Sequence, residues 1–105
     1  MLAIAGYVDW PTELSEEIRL ILTAITERSL RDTGCLAYWW AEDLVHAGRF
    51  RFFEAWENEA CHVDHQVAEY EKDFRRATLS RATAAEADRY ELAGMEQLAS
   101  EVASR

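Results

Sequence analysis

The stretch that decides the fold is CLAYWWAEDLVHAGRFRFFEAWE, residues 35–57, in which two aromatic-rich runs flank a short polar connector. Aromatic runs of this length are typical of β-strands, so we expect strands over residues 35–42 and 49–57. The connector, residues 43–48, contains a glycine and is short enough for a hairpin loop. The sequence therefore predicts an antiparallel hairpin at the centre of the chain.

Both faces of this predicted hairpin carry large apolar side chains. Successive side chains point to opposite faces of a strand, so Tyr38 and Trp40 lie opposite Trp39. Phe52 and Phe53 are opposed in the same way on the second strand. A small antiparallel sheet usually keeps one polar face. If helices cover one face here, a second subunit is the simplest cover for the other, and we expect a homodimer.

A strand and a helix are predicted before the hairpin. Residues 2–10 are apolar and partly β-branched, and Pro11 ends this strand because it lacks an N–H. Thr12 is the expected helix N-cap, and Gly34 supplies the helix stop after about residue 31. Apolar residues recur between them at three- and four-residue steps, which indicates one buried helical face: Leu14, Ile18, Ile21 and Ile25.

Another helix is expected after Asn58, a favourable N-cap. Two stripes compete for burial along it. One consists of Ala60, Val63, Val67, Tyr70 and Phe74. The other consists of Cys61, His65 and Ala68, with His62 beside them. Because a straight helix cannot bury both, we expect a break near residues 66–69, and which stripe is buried stays open.

The final segment has two interpretations. Its Ala and Glu content and the helical spacing of its apolar residues favour helix, whereas residues 86–93 could form a strand. A last strand completes the order βαββαβ, the ferredoxin-like plan. We therefore predict one α+β domain over residues 1–105, with an antiparallel sheet and an extra short C-terminal helix.

Composition and charge narrow the class of protein. The 105 residues are 50% hydrophobic and carry a net charge of −9, with scattered basic residues, which argues against a nucleic-acid partner. No apolar run approaches the ~20 residues that span a bilayer, and the first ten residues lack the basic start of a signal peptide. Two cysteines are too few for a disulfide framework. We expect a cytoplasmic protein with reduced thiols and no membrane partner.

Three short motifs, taken together, carry a family resemblance: Gly34-Cys35-Leu36-Ala37-Tyr38, then Glu54-Ala55-Trp56, then His65. In this order and spacing the chain resembles the antibiotic biosynthesis monooxygenase family, closely over about residues 30–75. The resemblance implies a dimeric α/β barrel, in which the sheets of two ferredoxin-like subunits pack together. It also implies a ligand cavity between the sheet and the helices of each subunit.

The resemblance also suggests an activity. Known members oxygenate polycyclic or quinol substrates without metal or flavin, and others degrade haem. Haem-degrading members have a Trp where His65 stands and a His where Arg75 stands, and their first-strand Asn has no counterpart near Gly6 and Tyr7. Haem degradation is thereby disfavoured. We expect a cofactor-independent monooxygenase that uses dioxygen, no metal and no other cofactor, on a small aromatic phenol or quinol.

His65 is the candidate catalytic residue, because a histidine in an aromatic cavity can take a phenolic proton near neutral pH. The alternative is a core-edge histidine bonded to backbone. Glu54 either pairs with Arg49 or Arg51 of a neighbouring chain, which we favour, or is a pocket acid. The expected substrate-binding residues are all aromatic: Tyr7, Tyr38, Trp39, Phe53 and Trp56.

Other interpretations stay open. Cys61, His62 and His65 are within helical reach of one another, but zinc needs three or four ligands, and a donor from His46 has no fixed distance to them. Cys61 could be a nucleophile activated by histidine. The whole chain could be a non-enzymatic small-molecule-binding or structural dimer. It could also be a non-oxidative isomerase or dehydratase.

Overall fold

The computed structural model describes residues 1–96 and 98. Its elements confirm the predicted α+β fold and the order βαββαβ, with the second helical region in two parts. They are β1 (Leu2–Asp9), α1 (Ser15–Ser29), β2 (Cys35–Glu42), β3 (Arg49–Trp56), α2 (Glu59–Val67), α3 (Glu69–Thr78) and β4 (Ala84–Glu91). A 3-10 turn, Thr12–Leu14, precedes α1, and another, Leu79–Arg81, follows α3.

The strands form one antiparallel sheet in the order β2-β3-β1-β4. Leu2 of β1 lies opposite Trp56 on one side and Glu91 on the other, so β4 completes the sheet beside the N-terminal strand. The predicted last strand is confirmed, two residues earlier than expected, because pairing with β1 satisfies its backbone groups despite a helical composition. The expected C-terminal helix falls largely on residues 97 and 99–105, which lie outside the described part of the chain.

The start of α1 differs from the prediction. Thr12 is not the N-cap, since α1 begins at Ser15 and has no side-chain cap. The Leu14 N–H donates instead to the Pro11 carbonyl at 3.0 Å, so a backbone hydrogen bond replaces the expected bond to a side-chain hydroxyl. The predicted apolar face is present, with Ile18 and Ile25 buried.

Helices cover one face of the sheet, and the main core lies between the two layers. Its buried members are Val8, Trp10, Ile18, Leu22, Ile25, Tyr38, Phe50 and Phe74. Each fully buried large apolar side chain contributes roughly 1.5–3 kcal/mol relative to exposure. This layer fixes the position of α3 over the sheet.

The expected helical break is confirmed at Ala68, whose φ of −63° and ψ of 140° are extended. Asn58 caps α2 as predicted, accepting from the Cys61 N–H at 2.9 Å. Of the two competing stripes, the one with histidines is buried along α2. His65 is 3% exposed, whereas Val63 is 43% exposed. The break lets α3 turn a different face, with Phe74, toward the sheet.

The other side of the sheet, here called the outer face, faces away from the helices and consists of Tyr7, Trp39, Phe53 and Tyr90 with their neighbours. The Trp39 and Phe53 rings stack there at 5.8 Å. Trp39 and Tyr90 are about half exposed. Among residues 1–96 and 98, none of the helices is long and apolar enough to cross a bilayer.

Candidate functional site

A cavity of about 350 Å³ lies between the helix-covered face of the sheet and α3. This volume is within the range of small-molecule sites. Its apolar wall includes Val8, Trp40, Phe52, Phe74, Leu79 and Ala85. Its polar wall consists of Tyr38, Glu54, Glu71 and Arg75. Flat apolar walls with a few convergent polar groups suit a small aromatic ligand.

A larger recess, about 500 Å³, lies between α1 and the edge strand β2. Its opposing charges, Arg19 and Glu42, form an ion pair with each other and are about half exposed. The cavity under α3 instead contains a buried carboxyl group that is not paired in this way. We therefore take the cavity under α3 as the candidate site.

Glu71, in the first turn of α3, is that buried carboxyl group. Its side chain lines the cavity, and among the described residues its Oε2 atom has no hydrogen-bond partner. Burial raises the pKa of Glu71 to about 7; the nearby charge of Arg75 opposes this rise, and those of Glu54 and Asp32 add to it. Glu71 can therefore exchange a proton near neutral pH.

His65 lies directly behind Glu71, in the last turn of α2. Its Nδ1 atom is 3.0 Å from Asp32 Oδ2 and 2.8 Å from the Tyr70 hydroxyl oxygen, while the Tyr70 hydroxyl donates to Asp32. Because ionised Asp32 can only accept, Nδ1 is assigned the proton. Nε2 then faces Glu71 Oε2 at 3.5 Å.

Asp32 is the fixed acceptor at the far end of this row. Burial alone would raise the pKa of Asp32. Hydrogen bonds from Tyr70, His65 and Arg28 outweigh burial and hold this pKa below its usual value. An ionised carboxylate at this place accepts the Nδ1–H of His65 and fixes the orientation of the ring. A continuous row of polar groups thus leads from the interior to the cavity: Asp32, Tyr70, His65 and Glu71.

Glu54 lines the cavity, as expected of a pocket acid, whereas the favoured ion pair with an arginine of a neighbouring chain stays a prediction. Its Oε1 atom accepts from Trp56 Nε1 at 2.9 Å and lies 3.4 Å from His62 Nε2, on the helix-covered face. In the same chain, Arg49 and Arg51 project to the opposite face of β3, because they are an odd number of residues from Glu54. Arg49 binds Asp9 and Arg51 binds Asp43.

The six predicted site residues are divided between the faces of the sheet. Tyr38 lines the cavity, and its hydroxyl accepts from Trp40 Nε1 at 3.1 Å. Tyr7 pairs with Arg51 in the sheet and the Arg49 guanidinium lies 3.7 Å from its ring centre, so the ring is on the outer face, on the opposite side of the sheet from the cavity. His65 and Trp56 are buried behind its wall, with their ring centroids 4.7 Å apart. Trp39 and Phe53 are on the outer face, where they and Tyr7 border a recess of about 340 Å³.

Sequence reasoning missed two polar residues of the cavity. Glu71 and Arg75 come from α3, at its first turn and one turn later. A glutamate in the first turn of a helix usually indicates a solvated N-terminus. The available signal was the break at Ala68, which changes the face that the following helix buries.

The cluster from Cys61 to His65 does not converge on one point. His62 faces Glu54, His65 faces Asp32, and Cys61 lies against the backbone of Gly34. Within residues 1–96 and 98, no group of three or more potential ligands is arranged to hold a metal ion. The other thiol, Cys35, has its pKa raised by burial to about 11, so it is protonated at neutral pH.

The chain matches the model of one protein family and resembles many solved structures. A model of the antibiotic biosynthesis monooxygenase family matches residues 1–77, a range that contains Tyr38, Glu54, His65 and Glu71. No curated protein matches the chain.

Similar solved structures share the fold. A proposed antibiotic biosynthesis monooxygenase from Deinococcus radiodurans has a TM-score of 0.85 and 23% identity, over 93% of this chain and 98% of that one. A second, from Nitrosomonas europaea, has a TM-score of 0.82 and 16% identity, over 90% and 100%. A Pseudomonas aeruginosa protein is 25% identical, with a TM-score of 0.77 over 88% and 94%.

Proposed function

Because the chain belongs to the antibiotic biosynthesis monooxygenase family, we propose that it oxygenates a small phenol or quinol without a cofactor, in the cavity under α3. One observation carries the proposal: a histidine–carboxyl pair opens onto a cavity with aromatic walls and a volume of about 350 Å³. The carboxyl and imidazole groups supply proton transfer, and the walls supply a site for a flat ring.

The proposed reaction needs no reductant other than the substrate. The substrate hydroxyl loses its proton, and the resulting anion passes one electron to dioxygen. The two radicals combine through a new C–O bond, and the O–O bond then breaks as water leaves. For a phenol the products are a quinone and one water, so one oxygen atom enters the product and the other leaves as water.

The chain's own groups have to favour the anion and keep water away. His65 is proposed as the base on which the substrate proton finally rests, with Asp32 and Tyr70 holding its ring. Tyr38, which lines the cavity, is proposed to contact the substrate. Trp56 fixes the ring of His65 from behind.

Dioxygen uptake tests this proposal. The metal-stripped protein is mixed with a panel of phenols and quinols, and uptake is followed with an oxygen electrode. His65→Gln should lower kcat/KM about a hundredfold, because general-base catalysis contributes roughly 10²–10⁴-fold. His62→Gln is the matched control: it changes the neighbouring buried histidine, which faces Glu54, and should leave more than a third of the activity. Equal activity in the two variants would remove His65 from the mechanism.

We also propose that the outer face joins two copies of the chain. Trp39 is 46% exposed on a face that also carries Phe53 and Tyr90, and the four-stranded sheets of this family's fold can pack through such a face. Trp39→Asp should weaken self-association about tenfold or more, since a buried aromatic is a typical hot spot. Sedimentation velocity across a concentration series measures this. Leu20→Asp, at an exposed position of α1, is the control and should not alter self-association. An unchanged sedimentation profile for Trp39→Asp would refute this interface.

One alternative function has a specific observation behind it. Glu71, with its pKa near 7, and His65 beside it at 3.5 Å form an acid–base pair that would also suit an isomerase or dehydratase. Substrate conversion at an equal rate with and without dioxygen would favour that alternative.

A further inference from the structure

We propose that Glu71 is the residue that takes the proton from the substrate hydroxyl and passes it to His65. The inference rests on the proposed function and adds a catalytic residue to it. It also restricts the substrate to a ring that presents a neutral hydroxyl to the acidic end of the cavity.

The position of Glu71 between cavity and histidine is the first argument. Glu71 lines the cavity, whereas His65 is 3% exposed and does not line it. The Nδ1 side of His65 is occupied by Asp32 and Tyr70. Its remaining nitrogen, Nε2, faces Glu71 Oε2 at 3.5 Å. The path from the cavity to His65 among the described residues therefore passes through the Glu71 carboxyl group.

The comparison with Glu54 is the second argument. Both carboxyl groups line the cavity. Glu54 Oε1 already accepts a hydrogen bond from Trp56 Nε1. Glu71 Oε2 is buried without a partner among the described residues, and such an atom is costly to leave unpaired. A proton shared with His65 and delivered by the substrate satisfies it.

The proton balance is simple. The substrate O–H bond breaks, its electron pair stays on the substrate oxygen, and the proton joins the Glu71 carboxylate. One negative charge moves from Glu71 to the substrate, so the total charge of the cavity does not change. When Glu71 passes a proton to His65 Nε2, the imidazolium that forms is held by Asp32. A substrate carboxylate at this end would be repelled by Glu54 and Glu71.

The pH dependence of kcat/KM tests the proposal. The titratable and charged groups around Glu71 come from five elements: His65 on α2, Asp32 after α1, Tyr38 on β2, Glu54 on β3 and Arg75 on α3 itself. Since a base acts when ionised, kcat/KM should rise with pH up to about 7 and then level off. Glu71→Gln should remove this step and lower kcat/KM about a hundredfold at pH 8.

Glu54→Gln is the matched control for that profile. It should keep the step and move it to lower pH, because the charge of Glu54 helps to raise the pKa of Glu71. Glu71→Gln activity within threefold of wild type at pH 8, or loss of the step in Glu54→Gln alone, would overturn the proposal.

A second measurement uses wild-type protein and needs no turnover. With ¹³C-labelled glutamate, the Glu71 carboxyl resonance is identified by its absence from Glu71→Gln and is followed while 4-chlorophenol, a phenol that stays neutral at pH 7, is added under nitrogen to prevent turnover. The proposal predicts a resonance that titrates near pH 7 and shifts on binding. Binding without a shift would overturn it even if the enzyme is active. A shift without any dioxygen uptake would support the Glu71 contact and count against the proposed function alone.

Discussion

Replacing Trp56 by alanine should lower the free energy of unfolding by about 3–5 kcal/mol, the range for large buried aromatics. Trp56 is fully buried at the end of β3, opposite Leu2 in the sheet register. Its ring packs against His65, and its Nε1 donates to Glu54 at 2.9 Å. Alanine would leave a void and also remove the hydrogen-bond donor of the half-buried Glu54 carboxylate, and both effects destabilise the folded state.

Urea unfolding at pH 7 measures this loss, with Trp56→Phe as the control. Phenylalanine keeps most of the ring but lacks the N–H, so it should cost about 1–2 kcal/mol, the hydrogen-bond part of the effect. A loss below about 1 kcal/mol for Trp56→Ala would contradict the packing described here.

Glu71 should give the protein a pH-dependent stability of about 3 kcal/mol. Its pKa is 4.5 in an ordinary setting and about 7 in the folded protein. The folded state therefore holds the proton more tightly than the unfolded state. The stability that this group contributes is fully present below pH 4.5 and is lost as pH rises to about 7. The shift corresponds to about 3 kcal/mol.

The difference between wild type and Glu71→Gln isolates this contribution from other titrating groups, among them Asp32, whose lowered pKa acts in the opposite direction. Unfolding free energies are measured from pH 4.5 to 8. Glutamine resembles the protonated side chain, so the two proteins should be about equally stable at pH 4.5, and the variant should be more stable by up to about 3 kcal/mol at pH 8. A difference that does not vary with pH would mean that Glu71 is solvated.

Local patterns were sufficient to predict most of the fold. The aromatic alternation predicted β2 and β3, the apolar spacing predicted α1, and Asn58 marked the start of α2. The start of α1 was missed because a backbone bond to Pro11, which no residue type encodes, replaced the Thr12 cap. The last strand was predicted from the order of the elements and partly from the family resemblance, because its own composition favours helix and only pairing with β1 outweighs this.

The site was harder to predict, because it depends on which polar groups are buried together. On α2 the stripe with His65 is buried in place of the more apolar one with Val63, since Asp32 and Tyr70 satisfy the imidazole. Asp32 lies 33 residues from His65 along the sequence, and Tyr70 lies 5 residues from it. The burial of Glu71 follows from the turn at Ala68 and from how α3 docks, which a single sequence does not reveal.

For Trp39 and Phe53, the sequence did not reveal which face of the sheet the helices cover. Their aromatic character predicted burial against a ligand or a partner, and strand alternation fixed which side chains share a face. It did not fix which face the helices cover. The structure assigns Tyr38 to the helix side and Trp39 to the outer face.

Isotope labelling of the product tests the central claim of cofactor-free monooxygenation most directly. The metal-stripped protein is incubated under ¹⁸O₂ with the phenol or quinol that it consumes fastest, and the product is analysed by mass spectrometry. We predict one ¹⁸O atom in each product molecule, at a rate that chelators do not change. Product without ¹⁸O, or labelled product that forms only after metal or flavin is added, would contradict the account.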